Sequence, residues 1–227
     1  MDSIYPNSLN FPGSSSIASS RINAVVASKN PDAGIAIAQN SGVNVLLQAS
    51  GAGGYLGTTS NHPLVLRTND QDRLVVEANG NVQVKGDIIL TNADCAEDFD
   101  IANAALVEPG TVMVLGEEGV LKPSDRAYDK RVAGVVSGAG GYRPGIVLDK
   151  QPAQGNRSPI ALLGKVFCKV DANYAPIEVG DLPTTSDTPG HAMRATDPFK
   201  AFGSVLGKAL RPLREGHGLI PILTALQ

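Results

Sequence analysis

Between Leu56 and Gly86 the chain reads "LGTTSNHPLVLRTNDQDRLVVEANGNVQVKG", with apolar and polar residues alternating almost throughout. A period of two sends successive side chains to opposite faces of an extended backbone, so this pattern predicts half-buried strands and argues against helices. The same texture runs from about residue 21 to 90. It is carried by Ile35 and Ile37, Val45 and Leu47, Leu64 and Leu66, Leu74 and Val76, Val82 and Val84, and Ile88 and Leu90. Strands are expected over 21–28, 34–39, 44–49, 55–58, 63–68, 73–77, 82–85 and 88–90, separated by Gly, Asn, Asp and Pro turn signals. In "ANGN" the Asn79-Gly80 pair predicts a tight hairpin of the primed type, because both residues accept positive φ.

Each of these segments offers only two or three aliphatic side chains to one face. Aromatic residues make up 4% of the chain and Trp is absent, so there is little bulk with which to build a core. A lone sheet of such strands coheres weakly and leaves edges open to other chains. Two arrangements bury the apolar stripes. Three copies wound around one axis would place them inside a narrow prism, a β-helix-like stalk, and leave Arg67, Asn69, Arg73 and Glu77 in water. Alternatively, the C-terminal region would close a monomeric sandwich over them. The trimer is the more economical of the two.

Composition narrows the function classes. The net charge is −3 and no basic block occurs, which argues against a phosphate-tracking nucleic-acid binder. No apolar run reaches the roughly 18 residues of a membrane span. The start, "MDSIYPNSLNFPGSSS", lacks the basic and apolar regions of a secretory signal. A protein of this kind acting outside the cell is expected to leave by lysis or within a larger particle. Residues 1–20 read as an extended arm. Ile4, Tyr5, Leu9 and Phe11 are unusual for a plain linker and suggest an attachment peptide, with a disordered tail as the alternative.

Beyond residue 90 the texture changes. Asp94, Glu97, Asp98 and Asp100 crowd together before an Ala-rich piece read as one or two helical turns. Strands return over 111–115, 131–137, 145–148, 160–171, 191–195, 201–210 and 219–226. Cys168 shares its parity with Val166 and Val170 and is expected inside, as a small hydrophobe. "DPFKAFGSVLGKAL" has some helical character, but Gly203 and Gly207 favour a bent strand. The segments starting at Glu108 and Glu178 follow a similar order of strand, turn and glycine-bearing strand. They suggest a duplicated unit within a β-barrel-like head. The expected organisation is therefore all-β: an arm over 1–20, a trimerisation stalk over 21–90 and a head over 91–227.

Two resemblances bear on this organisation. "GGYLGTTSNHPLVLRTNDQDRLVVEANGNVQVKGDI" resembles the stalk segments of bacteriophage tail fibres and related trimeric appendages. Those proteins form intertwined β-structured trimers. "DCAEDF" at 94–99, "EPGTVMVL" at 108–115, "VLKPS" at 120–124 and "RVAGVVSG" at 131–138 resemble the self-cleaving chaperone domain at the C-terminus of phage neck-appendage and tail-fibre proteins. The resemblance implies a domain that assists trimer folding and is able to cut its own chain. Cys95 stands where that pattern has Tyr, and no cleavage dipeptide aligns.

Self-cleavage requires an activated nucleophile or a strained peptide with an acid or base at hand. Asp94 and Glu97 are the candidate acids, with Ser124, Asp125 or Ser137 as partners. The competing reading has the acids capping a turn or pairing with Arg126 or Arg131. "SGAGGYRPG" lacks the Gly-Lys-Ser/Thr ending of a phosphate cradle, so it reads as a loop offering Tyr142 and Arg143 to a neighbour or receptor. His62, His191 and His217 lie far apart in the sequence, and no metal site or cofactor is expected from them. His217 reads as a hairpin tip and a further contact candidate. The expectation is a non-enzymatic structural subunit of a trimeric fibre or spike. It belongs to a phage tail, a contractile injection particle or a self-assembling filament, and attaches through its arm. A receptor- or glycan-binding head and a self-processing chaperone are the alternatives.

Overall fold

A computed structural model describes residues 23–29, 32–38, 42–50, 52–102, 107–151 and 156–225, with backbone only for 23–29, 32–38, 49 and 50. The attachment-arm residues Ile4, Tyr5, Leu9 and Phe11 lie outside this set. The chain divides into two compact units, Met1–Ile88 and Ile89–Gln227.

The first unit holds two antiparallel meanders. One has the order β1 (Asn23–Lys29), β2 (Asp32–Ala38), β3 (Asn44–Ser50), β4 (Gly53–Thr58). The other has β5 (Leu64–Thr68), β6 (Gln71–Val76) and β7 (Val82–Val84). Within each meander every strand pairs with its neighbour in sequence. The expected strand at 88–90 does not form, and those residues carry no regular structure. The primed turn also falls elsewhere. Asn69 and Asp70 both have positive φ, 51° and 56°, and form the two-residue connection between the paired Thr68 and Gln71. Short polar side chains tolerate that left-handed backbone. At the predicted site only Gly80 is left-handed. The loop there is longer, spans Glu77 to Asn81, and is closed by the Glu77 N–H on the Asn81 carbonyl at 2.8 Å.

The second unit is one ten-stranded sheet centred on β13 (Arg157–Asp171). The acidic run around 94 is not a cap but a strand, β8 (Asp94–Asp100), antiparallel to β13. Its four carboxylates hide the strand in the sequence, since Asp and Glu are poor strand formers. β9 (Val112–Leu115) lies between β10 (Leu121–Pro123) and β11 (Val132–Val136), and β11 pairs with β13. β12 (Pro144–Leu148) runs parallel to β8. β14 (Pro183–Thr185) pairs with β15 (Ala192–Arg194), which touches β13. "DPFKAFGSVLGKAL" splits: Pro198–Ala201 form a four-residue helix, α1, capped by Asp197, and Gly207–Ala209 form β16. β16 pairs with β17 (His217–Ala225), and β17 with β13.

The proposed internal repeat has a counterpart in the pairing. β9 lies between its hairpin partner β10 and the later β11. Likewise β14 has its hairpin partner β15 on one side and a bridge from Thr184 to Val205 on the other.

Two buried clusters hold this unit together. Val112, Val135 and Ala161 join one, while Met113, Val136 and Ile160 join the other. Adjacent residues of β9, β11 and β13 thus feed opposite faces, and both faces are covered. Each fully buried aliphatic of this kind contributes about 1.5–3 kcal/mol. Cys168 lies inside with Val166 and Val170, and burial pushes its thiol up to about 12.

Candidate functional site

The two units differ most in what their aliphatic side chains touch. Between residues 42 and 88 no described residue is buried. Leu47 is 52% exposed, Leu66 46% and Val82 59%, and Val84, Ile88 and Leu90 are also exposed. Val45, Leu64, Leu74 and Val76 are half-buried. Ile35 and Ile37 pair in register with Leu47 and Val45, their side chains lying outside the described set. Cross-strand alignment gathers these residues into stripes: Leu64 opposite Val76, Leu66 opposite Leu74, and Val76 opposite Val82. This is a candidate assembly surface. On the polar side Arg67, Asn69 and Arg73 are exposed, with Arg67 Nε 2.6 Å from an Asp72 oxygen.

Among the self-cleavage candidates, the structure joins Asp94 to Ser137. The Ser137 hydroxyl donates to Asp94 Oδ2 at 2.7 Å, and both residues are buried. Asp94 Oδ1 is buried without a hydrogen-bond partner. Burial raises the Asp94 carboxyl above its ordinary range, partly offset by the Ser137 hydrogen bond. Glu97 is half-buried further along β8, opposite Ile160. Ser124 is buried with an unpartnered hydroxyl, and its carbonyl accepts from Gly190 N–H. Asp125 pairs with Lys122 at 2.8 Å. Arg126 and Arg131 both turn to the buried Asp129, at 3.3 and 2.7 Å. What this arrangement offers chemically is one sequestered acid with a hydroxyl beside it.

The 138–143 loop is held by its own side chains. Arg143 Nη1 donates to the carbonyls of Gly138, Gly140 and Tyr142. Tyr142 is half-buried and packs on Phe167, ring centres 5.0 Å apart, with Lys165 Nζ over the Tyr142 ring, 5.3 Å from its centre.

His217 is not a hairpin tip but the first residue of β17, directly opposite Asp171 at the end of β13. Its Nε2 lies 2.9 Å from Asp171 Oδ2, which also accepts from the Thr188 hydroxyl at 2.6 Å. Burial would raise the Asp171 carboxyl, but hydrogen bonds from Thr188, Asn173 and His217 outweigh it and hold it low. The His191 ring stands 5.1 Å from that of His217. Sequence reasoning missed this meeting because nothing local links residues 171, 191 and 217.

Models of known protein families do not match this chain, and no curated protein is significantly similar to it in sequence. No helix among the described residues is long and apolar enough to cross a membrane.

Proposed function

We propose that this protein is a structural subunit of a trimeric fibre or spike. The strands of residues 21–90 form an intertwined β stalk, and residues 91–227 form a head whose sheet curls toward a barrel. One observation supports this reading above the rest. The stalk strands carry aligned aliphatic stripes with no buried residue among those described between 42 and 88. Leucines and valines left in water forfeit roughly 1.5–3 kcal/mol apiece relative to burial, and a second and third copy recover it. Attachment through residues 1–20 would join the trimer to a phage tail, an injection particle or a filament. The reading assigns no cofactor, no nucleic acid and no catalysis.

Light scattering on the full chain tests it. Three copies of 23.5 kDa give about 70 kDa. A mass of one copy at micromolar concentration ends the proposal. Removing residues 1–20 leaves the trimer intact and abolishes any higher assembly.

The Asp94–Ser137 pair favours a second reading, self-processing of the chain. A carboxyl whose affinity for a proton is raised by burial is better suited to hand one to a departing amine. Intact-mass measurement after prolonged incubation decides this: two fragments, absent in Asp94→Asn, support it, and an unchanged mass ends it.

A further inference from the structure

His191 and His217 lie on either side of the C-terminal end of β13. β17 brings His217 opposite Asp171, and β15 begins immediately after His191, with Ala192 paired to Val170. Each ring is fixed through one nitrogen. His217 Nε2 faces the Asp171 carboxylate at 2.9 Å, and His191 Nδ1 faces the Pro189 carbonyl at 2.8 Å. Both partners are acceptors, Pro189 through its carbonyl and Asp171 through a carboxyl whose two oxygens already accept from Thr188 and Asn173. The bonded nitrogen of each ring must therefore be the donor. That fixes both tautomers and leaves a lone pair on His217 Nδ1 and on His191 Nε2 in the neutral rings.

An imidazole that gives its N–H to a carboxylate or a backbone carbonyl is oriented as metal-ligating histidines usually are. The spacing fits as well. With metal–nitrogen bonds of about 2.0–2.1 Å and tetrahedral angles, two imidazoles on one ion place their ring centres roughly 5 Å apart. Here the centres are 5.1 Å apart and the rings are inclined at 40°. The outer partner is itself anchored. Asp171 is 3% exposed and also accepts from Thr188 Oγ1 and, through Oδ1, from Asn173 N–H. The His217 side chain is 55% exposed, so an ion has access from solvent.

We infer that His191 and His217 form a binding site for one late first-row divalent transition-metal ion, of the zinc, nickel or copper class, with water in the remaining positions. Imidazole nitrogens select these ions over magnesium and calcium, which prefer oxygen. Among the described residues no three His, Cys, Asp or Glu converge on one point, so the protein supplies two ligands. The affinity is accordingly lower than that of a closed four-ligand structural site. This inference does not depend on the trimer.

The test uses the full chain without a polyhistidine tag and zinc alone as the probe. Equilibrium dialysis should show one zinc per chain. His191→Ala and His217→Ala should each weaken uptake at least roughly tenfold, and His62→Ala should not change it. Melting profiles report whether each variant keeps its fold. If a variant does not fold, nitrogen chemical shifts of the wild-type histidines give an independent readout. Zinc should move His217 Nδ1 and His191 Nε2 far more than the nitrogens already held by Asp171 and Pro189. Absence of saturable uptake up to roughly 1 mM zinc overturns the assignment. So does uptake retained by the folded double variant, or a shift confined to the other two nitrogens.

Discussion

The two units use similar strands and differ in what covers them. In the first, the described strands pair only with sequence neighbours, β1 through β4 and then β5 through β7. In the second, β13 alone contacts β8, β11, β15 and β17, drawn from across the whole unit. Those distant returns cover both faces of β9 and β11. A two-residue period therefore announces a strand but not its burial. Burial comes from non-local pairing within the head, whereas in the first unit no described residue between 42 and 88 is buried within one copy. Non-local pairing costs loop-closure entropy before it rewards the fold, so the head is expected to fold more slowly than either meander forms.

The comparison breaks or sharpens on matched substitutions. The largest effect is expected from Leu206→Ala in the head, where the side chain is fully buried. It should cost about 2–5 kcal/mol in urea unfolding, independent of protein concentration. Leu66→Ala in the first unit should cost almost nothing in a dilute monomer, and instead raise the concentration at which the proposed trimer dissociates. An equal, concentration-independent loss at Leu66 would erase the distinction between the two regions.

Gly207→Ala should come next. Its φ is +146°, and an added Cβ would lie 1.9 Å from the Leu223 carbonyl oxygen, so β16 must move away from β17. The strained backbone alone is worth about 1–3 kcal/mol, read as a lower unfolding midpoint of the head. No such clash exists at Gly54 or Gly57 on β4.

Asp129→Asn should cost about 2 kcal/mol at neutral pH, since hydrogen bonds to a charged partner are lost while both arginines stay hydrated. The Arg131 guanidinium, hydrogen-bonded to Asp129, holds the carboxyl well below the usual carboxylate range. A depressed folded pKa stabilises above the unfolded value, near 3.9, and the stabilisation is lost as pH falls toward the folded value. The gap between wild type and variant should therefore shrink below about pH 4.

Asp94→Asn should give the smallest change, with the opposite sign. Burial raises the Asp94 carboxyl, so its stabilising contribution is complete below the unfolded pKa and disappears as pH rises through the folded one. The variant should gain on the wild type as pH rises from 4 to 7. Retained pH dependence in the variant would show that another group is responsible.

Much of the local structure was legible in the residues. The stalk alternation marks seven of its eight expected strands, and the parity of Cys168 with Val166 and Val170 gives its inward direction. Two local features misled. The carboxylates of "DCAEDFD" concealed β8, because in place one of them turns inward to Ser137 and the others lie at half-buried or exposed positions of a strand held by β13 and β12. Asn79-Gly80 outranked Asn69-Asp70 as a primed turn on propensity alone, yet the register of the flanking strands placed two residues at the latter and five at the former.

The sequence by itself determined that this chain is built of thin strands and that each strand of its first ninety residues offers only two or three aliphatics to one face. Both follow from the character of residues one or two positions apart. Only the tertiary structure decided that Asp94 meets Ser137 and that Asp171, His191 and His217 meet at one end of β13. Those meetings depend on which strands pair and in what register, and a shift of one residue in any of them would turn the side chains to opposite faces.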